Sequence, residues 1–109
     1  MLINFEQIKE VTIPHLNNGM GEVSAKMSIQ KNGKMMVARI SEGSSIGEHE
    51  HKTSDDINYV ISGSGKAICD GKEEILTVGS CHYCPKGSSH SIINTGTEDL
   101  VLFTVVPEL

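Results

Sequence analysis

GEHEHKTSDDINYVISG, residues 47–63, reads as a strand, a turn and a second strand. Residues i and i+2 of an extended strand project from the same face, so His49 and His51 point together while Glu48 and Glu50 point away as solvated charges. KTSD, residues 52–55, has the chemistry of a turn, and YVIS, residues 59–62, is a short β-branched and aromatic run. From Glu22 to Leu109 no window of ten or more residues repeats apolar positions at helical spacing, and Gly, Asn or Asp interrupts the chain every several residues. The fold class is therefore all-β.

The flanking sequence extends that reading. Asn32-Gly33 lies between VSAKMSIQ and MMVARI, and Asp70-Gly71 between GKAIC and EEILTV; both dipeptides favour positive φ at paired turn positions and predict hairpins. With SIIN at 91–94 and LVLFTVV at 100–106, the count reaches about eight to ten strands, the number usual for sandwiches and barrels. FEQIKEVTIPHL is expected to be a helical turn or an edge strand, because Pro14 cannot donate to a central ladder. A chain of 109 residues with 38% apolar composition supports one domain, residues 1–109, and no second one.

Charge and composition narrow the partners. Fourteen acidic residues stand against nine basic ones, a net charge of -5 with no basic run, which argues against nucleic acid as a partner. No stretch approaches the ~20 continuous apolar residues of a membrane span, and MLINFEQIKE lacks a basic segment followed by an apolar run. A soluble, cytoplasmic protein without a membrane partner is expected. Three cysteines are few and odd in number, so reduced thiols in a reducing compartment are the economical reading.

The paired imidazoles of His49 and His51 are placed to chelate one ion, and a first-row metal needs further ligands from elsewhere in the chain. Asp56 returns on the neighbouring strand after the KTSD turn, and His90 follows CPKGSS, where Pro85 and Gly87 mark a tight turn. The pattern is G-x5-H-x-H-x4-D-x6-G from Gly43 to Gly63, then G-x5-P-x-G-x2-H-x3-N from Gly79 to Asn94.

These two patterns resemble the motifs of the cupins. Gly79, Pro85, Gly87, His90 and Asn94 match the second family motif without a spacing error, and Gly43, His49, His51 and Gly63 match the first. Asp56 departs from it, standing where the family usually has Glu or Gln; residues 1–42 match nothing diagnostic. The resemblance implies a small jelly-roll β-barrel, the double-stranded β-helix of RmlC-like cupins, with a divalent transition metal (Fe, Mn, Ni or Zn) held by His49, His51, Asp56 and His90. An aspartate is one methylene shorter than a glutamate, so Asp56 could bind the metal directly, through water, or by a hydrogen bond to another ligand; the direct contact is expected.

Other residues carry weaker signals. In CHYC, residues 81–84, Cys81 and Cys84 fall on opposite faces of a regular strand and have no second cysteine pair, which favours buried thiols over a zinc or redox site. His82 lies opposite Cys81 and Tyr83. Tyr83, as a cavity hydroxyl, and Arg39, the one arginine, as an anchor for a substrate carboxylate, are the side chains offered for catalysis, although Arg39 is expected to face outward. His15, beside Pro14, is expected to be exposed.

Cupins resembling this chain include dioxygenases, decarboxylases, isomerases, lyases and proteins without known catalysis, so the fold leaves the function to be argued from the site. Three imidazoles and one carboxylate leave coordination positions open. The expected function is a metal-dependent enzyme acting on a small organic molecule, with dioxygenase-like oxidoreductase chemistry first; a non-catalytic ligand-binding or sensing module is the alternative. A homodimer is expected as well, with Ile57, Tyr59 and Ile61 as a contact face if they point outward.

Overall fold

Ten strands form two antiparallel sheets in the computed structural model, which describes all 109 residues. They are β1 (Val11–Pro14), β2 (Glu22–Gln30), β3 (Gly33–Ile40), β4 (Ser45–Glu50), β5 (Asp56–Ser62), β6 (Gly65–Cys69), β7 (Lys72–Leu76), β8 (Cys81–Cys84), β9 (Ser89–Asn94) and β10 (Leu100–Pro107). The larger sheet has the order β1-β2-β3-β10-β5-β8 and the smaller the order β4-β9-β6-β7. From β3 onward the chain passes back and forth between them, which is the jelly-roll winding. Two short 3₁₀ turns, Phe5–Gln7 and Leu16–Asn18, flank β1, which lies at a sheet edge as Pro14 requires. No helix is long and apolar enough to cross a membrane.

Two sequence expectations need correction. The sheets face one another but do not close into a barrel, because the ladders stop at the edge strands β1 and β8 of one sheet and β4 and β7 of the other. β1 and β8 have only four residues each, and across the β7–β8 seam the link is made by side chains. The second correction concerns a turn. Asp70 and Gly71 both have positive φ, as their hairpin demands, but the β2–β3 ladder pairs Gln30 with Gly33, so the loop is Lys31-Asn32. Gly33 instead belongs to β3, where a Cβ would lie 2.2 Å from the Val106 carbonyl oxygen.

The strand registers, which shift once between Val101 and Leu102 where β10 meets β5, align the inward side chains of the large sheet in rows. Val23, Ile40 and Leu100 make the floor, and Ala25, Ala38, Leu102 and Val60 the next row. Above them run Met27, Met36, Thr104, Asn58 and His82; Lys34, Val106, Asp56 and Cys84 come last. Ala67, Leu76 and Ile92 of the smaller sheet pack with the lower rows to form the core. Each large aliphatic buried there contributes about 1.5–3 kcal/mol relative to exposure. The interior is thus apolar at one end and polar at the other.

Candidate metal centre

The polar end gathers the four sequence candidates. His49 lies on β4 and pairs across the ladder with His90 on β9. His51 follows β4; its N–H donates to the Ser88 carbonyl at 3.1 Å, and its own carbonyl accepts from the Gly87 N–H at 2.7 Å. Gly87 has φ 91°, a left-handed conformation that suits glycine and turns the chain back toward His51 two residues before β9. Asp56 opens β5 in the opposite sheet. Its carboxylate reaches the imidazoles although it is a methylene shorter than glutamate.

The tips of these side chains meet. His51 Nε2 lies 2.9 Å from His49 Nε2, 3.0 Å from His90 Nε2 and 2.8 Å from Asp56 Oδ2, and His90 Nε2 is 3.0 Å from the same oxygen. All four ligand atoms lie within 4.8 Å of one another. Ligands ~2.0–2.1 Å from a metal are ~2.9 Å apart at adjacent octahedral positions and ~3.3 Å apart on a tetrahedron. The group is thus compact enough for one ion, with only a small inward adjustment of its widest pair.

Hydrogen bonds behind the tips orient them. The Gly47 carbonyl lies 2.8 Å from His49 Nδ1 and can only accept, so that nitrogen carries the proton and Nε2 presents a lone pair. Asp56 Oδ1 accepts from Asn58 Nδ2 at 3.1 Å, and Asn58 Oδ1 accepts from Thr104 Oγ1 at 2.8 Å, all three residues being buried. Burial lowers the pKa of both His49 and His51 and outweighs the nearby Asp56 carboxylate. Burial alone would raise that of Asp56, but the hydrogen bond and charge of His90, with His51 and Asn58, hold it below its ordinary value. Three imidazoles and one carboxylate, gathered at one place in a partly buried site, favour a cation there.

A cavity of about 330 Å³ opens beside the cluster. His49, His51 and Asp56 line it at one side, Met27, Met36, Ala38 and Ile46 give it an apolar wall, and Lys34 is its one cationic side chain. Lys34 takes part in none of the ion pairs of the structure.

Arg39 and Tyr83 lie elsewhere. Arg39 bridges Glu10 at 2.6 Å and Asp99 at 2.9 Å, and these bonds raise its pKa further. Tyr83 is exposed and donates to Asp55 Oδ2 at 3.0 Å. Strand parity turns both away from the cavity, so neither offers the side-chain chemistry suggested from sequence. Cys84 is buried and its thiol is pushed up to about 12, by burial first and by the neighbouring Cys69. Cys81 is exposed rather than buried. His15 is exposed, and Tyr59 and Ile61 face outward.

Sequence reasoning missed His82. It is 1% exposed, stacks on His90 with ring centroids 5.1 Å apart, and places Nε2 2.8 Å from His90 Nδ1. Glu74 Oε1 lies 2.7 Å from its other nitrogen. Alternation already separates His82 from Tyr83; what it lacks is which face of β8 is the interior.

A family model described as "Cupin domain" matches residues 36–106. The chain is similar to the "Oxalate-binding protein" of Thermotoga maritima, 30% identical over 112 residues that cover 97% of this chain and 93% of that one. The crystal structure of a predicted oxalate decarboxylase from Thermotoga maritima superposes with a TM-score of 0.93 at 29% identity over all of both chains. An RmlC-like cupin from Shewanella frigidimarina superposes at 0.79 with 17% identity, covering 95% of this chain and 86% of that one.

Proposed function

We propose that this chain, which belongs to the cupin family, holds a divalent transition metal with His49, His51, Asp56 and His90 and binds a small carboxylate at the ion's open positions. The convergence of these four ligand atoms within 4.8 Å carries the reading. Three imidazoles and one carboxylate form a donor set that suits Mn, Fe, Ni and Zn. A bound ion supplies Lewis acidity toward a carboxylate oxygen. Lys34, on the wall of the same cavity, offers a second charge to an anion. The relatives named for oxalate support a ligand of that size and charge.

Calorimetry with oxalate tests this. Protein loaded with Mn(II) should bind oxalate and the metal-free protein should not, while Lys34→Ala should weaken oxalate binding and leave metal uptake unchanged. Failure of the wild-type protein to take up Mn(II), Fe(II), Ni(II) or Zn(II) would sink the reading. A catalytic role is the second reading, favoured by the open positions that four protein ligands leave on an octahedral ion. It requires release of carbon dioxide from oxalate, or oxygen consumption with phenols, thiols or diketones, by the loaded protein.

Two broader parts of the reading concern assembly and compartment. Ile57, Tyr59 and Ile61 on the outer face of β5 supply apolar surface for a homodimer, and light scattering should then give twice the chain's 11.8 kDa. Three free cysteines support a reducing, cytoplasmic setting.

A further inference from the structure

We infer that Glu74 and His82 are positioning residues that fix the tautomer of His90 and thereby set how tightly the cluster holds its metal. The inference rests on the metal reading above and goes beyond it to two residues outside the ligand set.

The argument runs inward from Glu74, whose carboxylate is a pure acceptor. Its Oε1 lies 2.7 Å from His82 Nδ1, so that nitrogen must donate. When His82 carries a single N–H, as a neutral imidazole does, that proton is on Nδ1 and Nε2 keeps its lone pair. That lone pair faces His90 Nδ1 at 2.8 Å, so His90 donates through Nδ1. His90 Nε2, aimed at Asp56 and His51, is then the nitrogen whose lone pair a metal can take. One surface carboxylate therefore dictates the state of a fully buried nitrogen two residues away in the relay. His82 is too enclosed for water to reset the pattern, being 1% exposed.

The same contacts join the two sheets, because His82 belongs to β8 of the larger sheet while Glu74 and His90 belong to β7 and β9 of the smaller one. A purely mechanical role must therefore be separated from the electronic one. Direction of the hydrogen bonds makes the separation. In Glu74→Gln the amide oxygen still accepts from His82 and preserves the direction. In Glu74→Lys the ammonium can only donate, which reverses it and places a proton on His90 Nε2. Glu73→Lys makes the same charge change on the exposed neighbour, Glu73 being paired only with Lys66, and controls for simple repulsion of a cation.

The experiment measures Ni(II) and Zn(II) affinity of the full chain by competition with a chelator, alongside imidazole ¹⁵N spectra of the metal-free and Zn(II)-loaded protein. Loss of a partner that orients a ligating histidine typically costs about 10- to 100-fold in metal affinity. That loss is expected in Glu74→Lys and His82→Leu, with Glu74→Gln and Glu73→Lys close to wild type. The wild-type spectrum should show His90 protonated at Nδ1 even without metal, and Glu74→Lys should move the proton to Nε2. Equal metal affinity across wild type, Glu74→Lys and His82→Leu would overturn the inference and leave the metal reading standing. A wild-type protein that binds no metal would overturn both. If His82→Leu fails to fold, the Glu74 pair decides, since that side chain is at the surface.

Discussion

At the scale of single residues, the centre depends on which atoms are left as lone pairs. Asp56 supplies the one negative charge and keeps it because His90, His51 and Asn58 outweigh the cost of burial. Asp56→Asn preserves size and removes that charge, so metal affinity should fall at least about tenfold in a chelator competition, since even loss of a residue that only orients a ligand costs that much. Acid acts in the same direction. The pKa values of His49 and His51 are lowered from 6.5, so between the folded value and 6.5 the unfolded chain binds more protons than the folded one. Stability of the metal-free protein should therefore decline as pH drops through about 6.5, and decline again below the ordinary carboxylate range as Asp56 takes up its proton, which urea titrations at stepped pH would record. His49, His51, Asp56 and His90 were legible in the sequence because they fall within two spaced motifs that resemble those of the cupins. Asn58, Thr104, His82, Glu74 and Lys34 were not, since their roles depend on which face of each strand is interior and on pairings between strands distant in sequence.

Among the elements, β4 is the one on which the site leans most. Its Gly47 lies against the 3₁₀ turn Leu16–Asn18, where a Cβ would be 2.0 Å from the Asn17 carbonyl oxygen and 2.8 Å from the Gly19 nitrogen. The same glycine's carbonyl receives the His49 Nδ1 proton. Gly47→Ala must push the turn and the strand apart, costing of order 1–3 kcal/mol as overpacking does. A melting temperature lower by at least about 4 °C is expected, together with weaker metal binding, because His49 is carried on the displaced strand. Alternation in the sequence exposed the strands, including the edge position of β1 through Pro14. The β2–β3 turn was displaced by one residue, because Gly33 is needed for close approach to Val106 in a third strand, and local turn chemistry contains no trace of that strand.

For the molecule as a whole, the candidate centre is a cross-link. Asp56 comes from the larger sheet and the histidines from the smaller sheet and its end, so an ion at this point ties together sheets that no backbone ladder joins. At a free metal concentration a hundred times Kd, the linkage contributes about 2.7 kcal/mol. Removing metal by chelation should therefore lower the melting temperature by roughly 10–20 °C for a domain near this size, and a calorimetric scan with and without chelator measures it. A cupin winding was legible from two spaced motifs, whereas the open seam between β7 and β8 was not, because closure depends on strand lengths and edge geometry that the motifs do not encode.

The spacing of the ligands along the chain also bears on the order in which the fold is reached. His49 and His51 are two residues apart and meet an ion even in an unfolded chain, but His90 stands 39 residues beyond His51 and arrives only once β4 and β9 have paired. Closing so long a loop costs entropy before any contact rewards it. The complete grip on an ion therefore belongs to the native side of the folding barrier. Metal should leave the rate of refolding nearly unchanged and slow unfolding instead, making the ion a brake on opening rather than a template for assembly.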